Sequence, residues 1–489
     1  MVHLEDRKAK PQERAWHDAA PVPAHTGRAG VVTHREGKWA LLLGDMIALL
    51  LPVGIATAQR HVERPIALTI SELTTLALAA ILWAVFAMSA NLYSLARASS
   101  MAKTHRATLA AALLALAARP LYAPRGNSGD LLTEGRYALF AVILVALWRC
   151  AFALGTKMIP FTKRVVAIGA GVSGALIAEE MYARARRNER DYQLVGFVDD
   201  EPSKVQTVHA GFPVMGDSSN ILEIVDKHAV DTICLCVNSS KVDPRTFQAL
   251  VHARERGVRI VSMPVLYEDL TEKIAVEHTG DNWGVVFPVE HQRTPVAHDV
   301  LARAFDILSA LFGLVIVAFV SPILMIVNRF GNRGPLFYSQ IRVGKGGKDF
   351  RIYKYRSMVQ NAEAAGAQWA QENDPRITKI GNFLRKTRLD ELPQFWNVLK
   401  GEMSVIGPRP ERPEFVTLLE DSIPFFRARN AVKPGLTGWA QVMYRYGASE
   451  EDSLIKLQYD LYYIKHRSPA IDLRIIAKSV KVILTGAGR

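Results

Sequence analysis

The feature that most constrains the fold is a group of four long apolar segments near the start of the chain. These segments are Trp39–Ala58, Ile66–Ala90, Ala107–Tyr122 and Tyr137–Pro160. Each approaches the roughly 20 residues that an α-helix needs to cross a bilayer. We therefore predict a membrane protein of mixed class with an N-terminal four-helix transmembrane bundle (residues 39–160). The polar tail before it (residues 1–38) lacks the apolar run of a cleavable signal peptide.

Basic residues around these segments predict their orientation. They precede the first segment, separate the second from the third and follow the fourth: Arg28, Arg35, Lys38, Arg97, Lys103, Arg106, Lys157, Lys163 and Arg164. Because loops rich in Lys and Arg stay on the cytoplasmic side, both ends of the bundle are expected to face the cytoplasm. The tail, residues 1–38, is then cytoplasmic as well.

Residues 161–290 change character and alternate short β-rich runs with helical patterns. The predicted strands are Val165–Gly169, Leu194–Val198, Thr232–Val237 and Arg259–Met263. The predicted helices are Gly174–Arg187, Ile221–His228 and Pro244–Arg256. Strand–helix alternation of this kind predicts a central α/β domain that is Rossmann-like, with a doubly wound parallel sheet.

A glycine-rich loop follows the first of these strands. Its glycines are Gly169, Gly171 and Gly174, in the GxGxxG spacing that can bring a main chain close to a dinucleotide pyrophosphate. Asp199 and Asp200 follow the second strand, where a ribose would be bound. Two interpretations stay open: a nucleotide site, or a module kept for assembly or regulation. The lack of a Tyr-x-x-x-Lys pair in this region favours the second.

A fifth apolar segment, Ile307–Val327, decides the topology of the rest of the chain. As a simple span it would carry the basic residues that follow it out of the cytoplasm, against the charge rule. Ser321 and Pro322 offer another solution, because proline interrupts helical hydrogen bonding and a serine hydroxyl can satisfy a freed carbonyl. The part before the break, Ile307–Val320, would reach only about 21 Å of a ~30 Å core. We therefore predict a re-entrant helix, with an ordinary kinked span as the alternative.

Chemistry-bearing residues concentrate in the C-terminal domain, residues 301–489. This part holds 28 Lys and Arg against 17 Asp and Glu, which suits nucleic acid, anionic lipid or a diphosphate. Lys354 and Arg356 alternate as on one face of a strand, as expected for a phosphate site or a solvated basic edge. Arg409 lies between two prolines that fix the backbone, so its guanidinium can be aimed at a phosphate, unless the segment is a structural turn.

Two adjacent carboxylates, Asp390 and Glu391, are the candidate chemical centre. The spacing of Leu389, Leu392, Trp396 and Leu399 predicts a helix that begins near Asp390 and buries that face. Asp390 as an N-cap with Glu391 as a first-turn acid would be the plain structural interpretation. Arg385, Lys386 and Arg388 just upstream favour a different role, in which the acids hold Mg²⁺ and a diphosphate and one of them serves as nucleophile.

The ordered motifs KYRSM, DPRITKIGNFLRKTRLDELPQFWNVLKGEMSVIGPRP and KPGLTGWAQV resemble those of the bacterial sugar transferase family. The whole layout is similar to the large members, which initiate surface glycans with hexose phosphates. The resemblance implies transfer of a hexose-1-phosphate, glucose or galactose, from a UDP-sugar to undecaprenyl phosphate with release of UMP. It implies a multi-pass protein of the bacterial inner membrane with its catalytic domain on the cytoplasmic face. Exopolysaccharide, capsule or O-antigen synthesis would follow.

The resemblance also assigns roles to residues. It implies Asp390 as covalent nucleophile, Glu391 as its partner at Mg²⁺, and Arg385 and Arg409 near the phosphates. The implied partners are the lipid bilayer, undecaprenyl phosphate and a UDP-sugar; a homo-oligomer, a dimer, is expected, and no nucleic acid. One departure is Arg388, where many relatives have a small polar residue. The rival hypothesis is a membrane-tethered nucleotide-sugar dehydratase or oxidoreductase that uses the loop Gly169–Gly174.

Overall fold

The computed structural model describes only part of the N-terminal region and most of the rest of the chain. The described residues are 40–48, 51, 83, 108, 131–158, 162–187, 192–237, 242–278, 296–331, 334–362, 366, 374–444, 447 and 449–484. The predicted four-helix bundle lies largely outside them. Its fourth segment falls on a helix, α1 (Leu131–Met158). From Trp148 onward the chain forms two compact units, Trp148–Thr271 and Glu272–Arg489.

The first unit is built on a six-stranded sheet with helices between the strands. Its elements are β1 (Lys163–Ile168), α2 (Val172–Arg186), β2 (Tyr192–Val198), β3 (Val208–His209), β4 (Phe212–Gly216), α3 (Ile221–His228), β5 (Thr232–Leu235), α4 (Pro244–Glu255), β6 (Arg259–Ser262) and α5 (Met263–Thr271). The strand order is β3-β4-β2-β1-β5-β6, and only the β3–β4 pair is antiparallel. The predicted parallel sheet is confirmed, and the β3–β4 hairpin is an addition to it.

The glycine loop lies where the parallel strand order reverses, between β1 and β5. Gly169 has a φ of 104°, a conformation that favours glycine. A Cβ on Gly174 would lie 2.3 Å from the carbonyl oxygen of Gly169, so α2 approaches the end of β1 more closely than a side chain permits. The turn itself therefore requires glycine at positions 169 and 174, whether or not a ligand binds there, whereas a Cβ on Gly171 would meet open space.

The second unit contains one very long helix and a set of short elements. These are α6 (Val296–Gly331), β7 (Phe337–Val343), β8 (Asp349–Tyr355), α7 (Lys379–Lys386), α8 (Phe395–Lys400), β9 (Ser404–Ile406), α9 (Pro413–Ser422), β10 (Gly435–Thr437), α10 (Trp439–Met443), α11 (Glu450–Lys465) and α12 (Pro469–Leu484). Strands β7 and β8 form an antiparallel hairpin, and β9 pairs in parallel with β10. Two 3-10 helices, Leu389–Gln394 and Phe426–Ala431, precede α8 and β10. The unit is mainly helical, as predicted.

Helix α6 carries the fifth apolar segment, and Pro322 lies inside it rather than at an end. Residues Val296–Arg329 are long and apolar enough to cross a membrane, and 17% of their most apolar window is buried within the protein. The Ser321 hydroxyl lies 2.7 Å from the Tyr355 hydroxyl, which donates to the Val317 carbonyl at 3.2 Å. These bonds connect the proline site of α6 to the end of β8.

The same helix supports the turn that carries the two adjacent acids. Leu324 is buried with Tyr355 and Leu384, and Leu389 and Leu392 pack against this cluster. The opposite surface of α6 exposes large apolar side chains, among them Phe312, Phe319 and Ile326. An exposed apolar stripe of this size is typical of a surface that contacts lipid or another protein.

Candidate active site

The two adjacent carboxylates lie in the first turn of the 3-10 helix Leu389–Gln394. Arg388 precedes this helix with a φ of 59°, a left-handed conformation that non-glycine residues adopt rarely. Pro393 is accommodated before α8 begins at Phe395. A helical start near Asp390 is thus confirmed, although its first turn is 3-10 rather than α.

The predicted buried face of this helix is confirmed only in part: Leu389, Leu392 and Leu399 are half-buried and pack against the core, but the prediction is wrong at Trp396. Trp396 is 45% exposed, and the Lys400 ammonium lies 5.6 Å from its ring centroid. The buried residues are instead Asp390, Pro393, Gln394, Asn397 and Val398. A largely polar face therefore turns inward, because it packs against β8 and supplies the side chains of the site. Apolar spacing identified the half-buried leucines but missed the most deeply buried residues, because several of these are polar.

Three cations surround one oxygen of Glu391. Arg409 Nη2 donates to Oε1 at 2.8 Å, while Lys354 Nζ and Arg388 Nη1 lie 3.6 Å and 3.8 Å from the same atom. Burial by itself would raise the pKa of Glu391, but the three positive charges outweigh it and hold the pKa well below its usual range. Glu391 is therefore an anion at neutral pH.

Asp390 has the opposite environment, although it is the next residue. Its side chain is buried, and its Oδ1 has no hydrogen-bond partner in the described part of the chain. Burial, reinforced by the negative charge of Glu391, raises the pKa of Asp390 to about 6. Lys354, Arg409 and Arg385 lower it by smaller amounts, so these three predicted residues act on one carboxylate. Most Asp390 is ionised at neutral pH, with an oxygen available to bond elsewhere.

Lys354 is the strand residue that reaches this cluster. It precedes the last residue of β8, and burial lowers its pKa to about 8, although Glu391 opposes that shift. Arg356 lies one residue beyond the strand and is also buried, with its guanidinium against the backbone of Gly334. Lys354 and Arg356 therefore do not share a strand face as predicted, because β8 ends at Tyr355 and the Arg356 side chain lies near Gly334.

A small pocket next to the cluster contains residues that the sequence reasoning did not select. It is lined by Arg342, Ile352, Lys354, Gln394, Arg409 and Pro410. Gln394 is 3% exposed, and its Nε2 has no hydrogen-bond partner among the described residues. The only sequence signal for Gln394 was a polar residue three positions after Glu391 in the predicted helix, and its burial could not be read from the sequence.

The donor set at this site fits a magnesium ion that is shared with substrate. No group of three or more His, Cys, Asp or Glu side chains suited to a metal occurs within the described ranges. Mg²⁺ commonly uses one or two carboxylates and completes its octahedron with water and substrate phosphates. The unpartnered Asp390 Oδ1 and the adjacent Glu391 match that smaller requirement.

One main-chain NH of the glycine loop, that of Ala170, is bonded to an acid of the same unit. Asp199 Oδ2 accepts a hydrogen bond from Ala170 N at 2.7 Å, and Lys204 Nζ lies 3.4 Å from the same oxygen. Asp199 Oδ1 accepts from Glu201 N at 3.0 Å. Asp199, one of the two acids expected to bind a ribose, thus bonds to the loop, and Asp200 accepts a hydrogen bond from Ser218 N at 2.7 Å, which gives the oxidoreductase hypothesis no support.

Family models match two parts of the chain. Residues 297–486 match the model described as bacterial sugar transferase, and residues 132–264 match one described as CoA-binding domain. A UDP-glucose:undecaprenyl-phosphate glucose-1-phosphate transferase from Escherichia coli (strain K12) is 32% identical over 70% of this chain and 73% of its own length. The chain belongs to the bacterial sugar transferase family.

Two further relatives match parts of the chain. A UDP-N-acetylgalactosamine-undecaprenyl-phosphate N-acetylgalactosaminephosphotransferase from Aeromonas hydrophila is 44% identical over 49% of this chain, and the match spans 54% of that relative. A putative undecaprenyl-phosphate N-acetylgalactosaminyl 1-phosphate transferase from Bacillus subtilis (strain 168) is 53% identical over 26% of this chain and 72% of its own. The resemblance predicted from the motifs is confirmed, and the roles of individual residues stay predictions.

Proposed function

We propose that this sugar transferase moves a hexose-1-phosphate from a UDP-sugar to undecaprenyl phosphate and releases UMP. The observation that carries the proposal is the contrast between two neighbouring acids. Glu391 is fixed as an anion by three cations, whereas buried Asp390 keeps an oxygen without a partner in the described structure. One acid is thus suited to electrostatic work and the other to nucleophilic attack.

In the first step, an oxygen of Asp390 attacks the phosphorus that carries the sugar. The bond from that phosphorus to the bridging oxygen of the diphosphate breaks, and its electron pair leaves with UMP. A sugar-phospho-aspartyl intermediate results. Arg409, Lys354 and Arg385 place positive charge around the phosphate oxygens as negative charge moves onto the leaving group.

In the second step, a phosphate oxygen of undecaprenyl phosphate attacks the same phosphorus. The bond to Asp390 breaks and restores the carboxylate, and the product is a sugar linked to the lipid through a diphosphate. Asp390 and Glu391 would hold Mg²⁺, which when bound neutralises part of the phosphate charge.

The packing of α6 supports a membrane position of the site. This helix contacts the turn of the two acids on one side and exposes apolar side chains on the other. Re-entry at Ser321 and Pro322 would keep the catalytic unit on the cytoplasmic face, where UDP-sugars are made. This step would begin exopolysaccharide, capsule or O-antigen synthesis in the inner membrane.

Release of UMP by the purified protein tests the proposal. The assay combines undecaprenyl phosphate, Mg²⁺ and a panel of UDP-glucose, UDP-galactose and UDP-N-acetylgalactosamine. Glucose or galactose is expected from the large-form layout, and the panel decides between them and the N-acetylated sugar. UMP release that requires one of these sugars supports the proposal. A dehydratase would alter the sugar without releasing UMP, and a non-catalytic scaffold would leave every substrate unchanged.

A further inference from the structure

The segment that carries Arg409 is fixed by an unusual set of hydrogen bonds to its main chain. Four consecutive carbonyls accept from four separate donors outside the segment. Gly435 N donates to Pro408 O at 2.8 Å, and Val343 N donates to Glu411 O at 2.9 Å. Between them, arginine side chains donate to the carbonyls of Arg409 and Pro410.

The donor to the Arg409 carbonyl is Arg429, from the 3-10 helix Phe426–Ala431. Its Nη2 lies 3.1 Å from that oxygen and 2.7 Å from Asp460 Oδ2 on α11. Its Nη1 lies 3.6 Å from Glu411 Oε1. The guanidinium therefore bridges a buried carboxylate and the backbone of the residue that holds Glu391.

This ion pair is deeply buried, which makes stability a poor explanation for it. The side chains of Arg429 and Asp460 are 5% and 1% exposed. Removing two charges from water costs about as much as their attraction returns, so apolar residues of similar volume often stabilise a core equally well. A planar guanidinium can instead hold two acceptors in fixed directions, which an ammonium group cannot reproduce.

We infer that Arg429, held by Asp460, is a positioning residue that fixes the main chain of Arg409 and thereby aims its guanidinium at Glu391. The inference rests on the proposed transfer reaction. Arg429 acts only through Arg409, so its contribution to turnover disappears when Arg409 can no longer perform its role. A purely structural ion pair would contribute equally in both backgrounds.

A double-mutant cycle separates these two cases. UMP release is measured for the wild type, Arg429→Lys, Arg409→Lys and the double variant, with folding checked by circular dichroism. Arg429→Lys is expected to lower kcat about tenfold or more, with a smaller change in KM for the UDP-sugar. In the Arg409→Lys background, the same change is expected to cost less than about twofold.

Two further variants serve as a control and as a replacement if Arg429→Lys does not fold. Arg427→Lys lies on the same 3-10 helix, where the side chain is exposed and paired with Glu420, and it should keep wild-type turnover. If Arg429→Lys does not fold, Asp460→Asn replaces it, because it keeps the side-chain shape and removes the charge that orients Arg429.

The inference is overturned by a folded Arg429→Lys enzyme with wild-type kcat, or by equal losses in both backgrounds. Unfolding of both the Arg429 and the Asp460 variants would also overturn it, because the pair would then be structural. An inactive wild type refutes the proposed function instead, so the two failures are distinguishable.

Discussion

Asp199 in the first unit and Asp390 in the second are the same residue type in different environments. Asp199 is half-buried, and Asp390 is buried. Asp199 accepts hydrogen bonds from Ala170 N and Glu201 N. Although burial raises the pKa of Asp199, these bonds and Lys204 lower it overall. Asp390 keeps one buried oxygen without a partner in the described residues, and burial raises its pKa to about 6.

The two environments separate a structural carboxylate from one that is available for chemistry. A carboxylate whose oxygens are satisfied by its own loop stabilises that loop and has little left to offer a substrate. A buried carboxylate that lacks a donor is held at an energetic cost, and such groups concentrate at functional sites. This comparison favours a structural role for the glycine loop and supports our proposal that the pair Asp390–Glu391 is the reactive centre.

The largest expected effect comes from replacing the two aspartates in turn. Asp390→Asn should reduce UMP release by about 10⁴-fold or more, because the amide cannot form the acyl phosphate. Asp199→Asn should leave the rate within about threefold in protein that remains folded, since it acts only on its own loop. Steady-state rates of both variants check this. Comparable losses of UMP release in the two variants would show that Asp390 and Asp199 do not differ in their importance for turnover.

Glu391→Gln should have the next largest effect. The change removes the anion that Arg409, Lys354 and Arg388 surround, so the cations lose their common partner. Turnover should fall by about 10²- to 10³-fold, and Mg²⁺ should saturate at higher concentration. Initial rates measured against Mg²⁺ concentration test both parts. The control is Glu414→Gln, which changes an exposed glutamate that is paired with Arg412. An unchanged Mg²⁺ requirement in Glu391→Gln would contradict the proposal that Glu391 helps to hold the metal.

Stability should respond to the two aspartates with opposite signs. In Mg²⁺-free buffer the folded Asp390 carboxyl has a pKa of about 6 against an ordinary value of 3.8, so wild-type stability falls as pH rises through this interval. Asp390→Asn avoids that loss and should stabilise the protein by up to about 3 kcal/mol at about pH 8, with little gain near pH 4. Asp199→Asn should destabilise it, because the pKa of Asp199 is lowered by folding. Thermal unfolding at the two pH values measures both, and destabilisation by Asp390→Asn at the higher pH would contradict the account.

The smallest effect is expected at the glycine loop. Gly171 has open space where a Cβ would be added and a φ of −116°, which other residues adopt. Gly171→Val should therefore fold and keep UMP release within about twofold, at a helix-capping cost of about 1 kcal/mol. A folded variant that has lost turnover would show that a ligand must approach this loop. Gly174→Val should instead disrupt the fold of the first unit, because the main chain of Gly169 leaves no room for a side chain at this position.

The sheet of the first unit was accessible from sequence because each of its central strands is a short apolar run next to a helical pattern. The β3–β4 hairpin was missed because Val208–His209 is only two residues long. In the second unit, motif content predicted the acids and Arg409. Pairing of Arg409 with Glu391, 18 positions away, depends on tertiary structure that no periodicity records.

The inward face of the turn after Asp390 shows the physical limit of such predictions. Hydrophobic spacing assumes that buried means apolar, yet this turn buries Asp390, Gln394 and Asn397 and exposes Trp396. Departures from the apolar burial pattern are expected at functional sites. For the same reason Arg429 and Asp460, far from the motif acids in sequence, were not predicted.

A covalent bond between Asp390 and phosphorus can be detected by intact-protein mass spectrometry. The protein is mixed with its UDP-sugar and Mg²⁺ without lipid acceptor, and its mass is recorded before and after undecaprenyl phosphate is added. The account predicts a gain equal to one sugar phosphate on the wild type, its loss on addition of lipid, and no gain on Asp390→Asn. An adduct that persists on Asp390→Asn would contradict the account by placing the nucleophile on another residue.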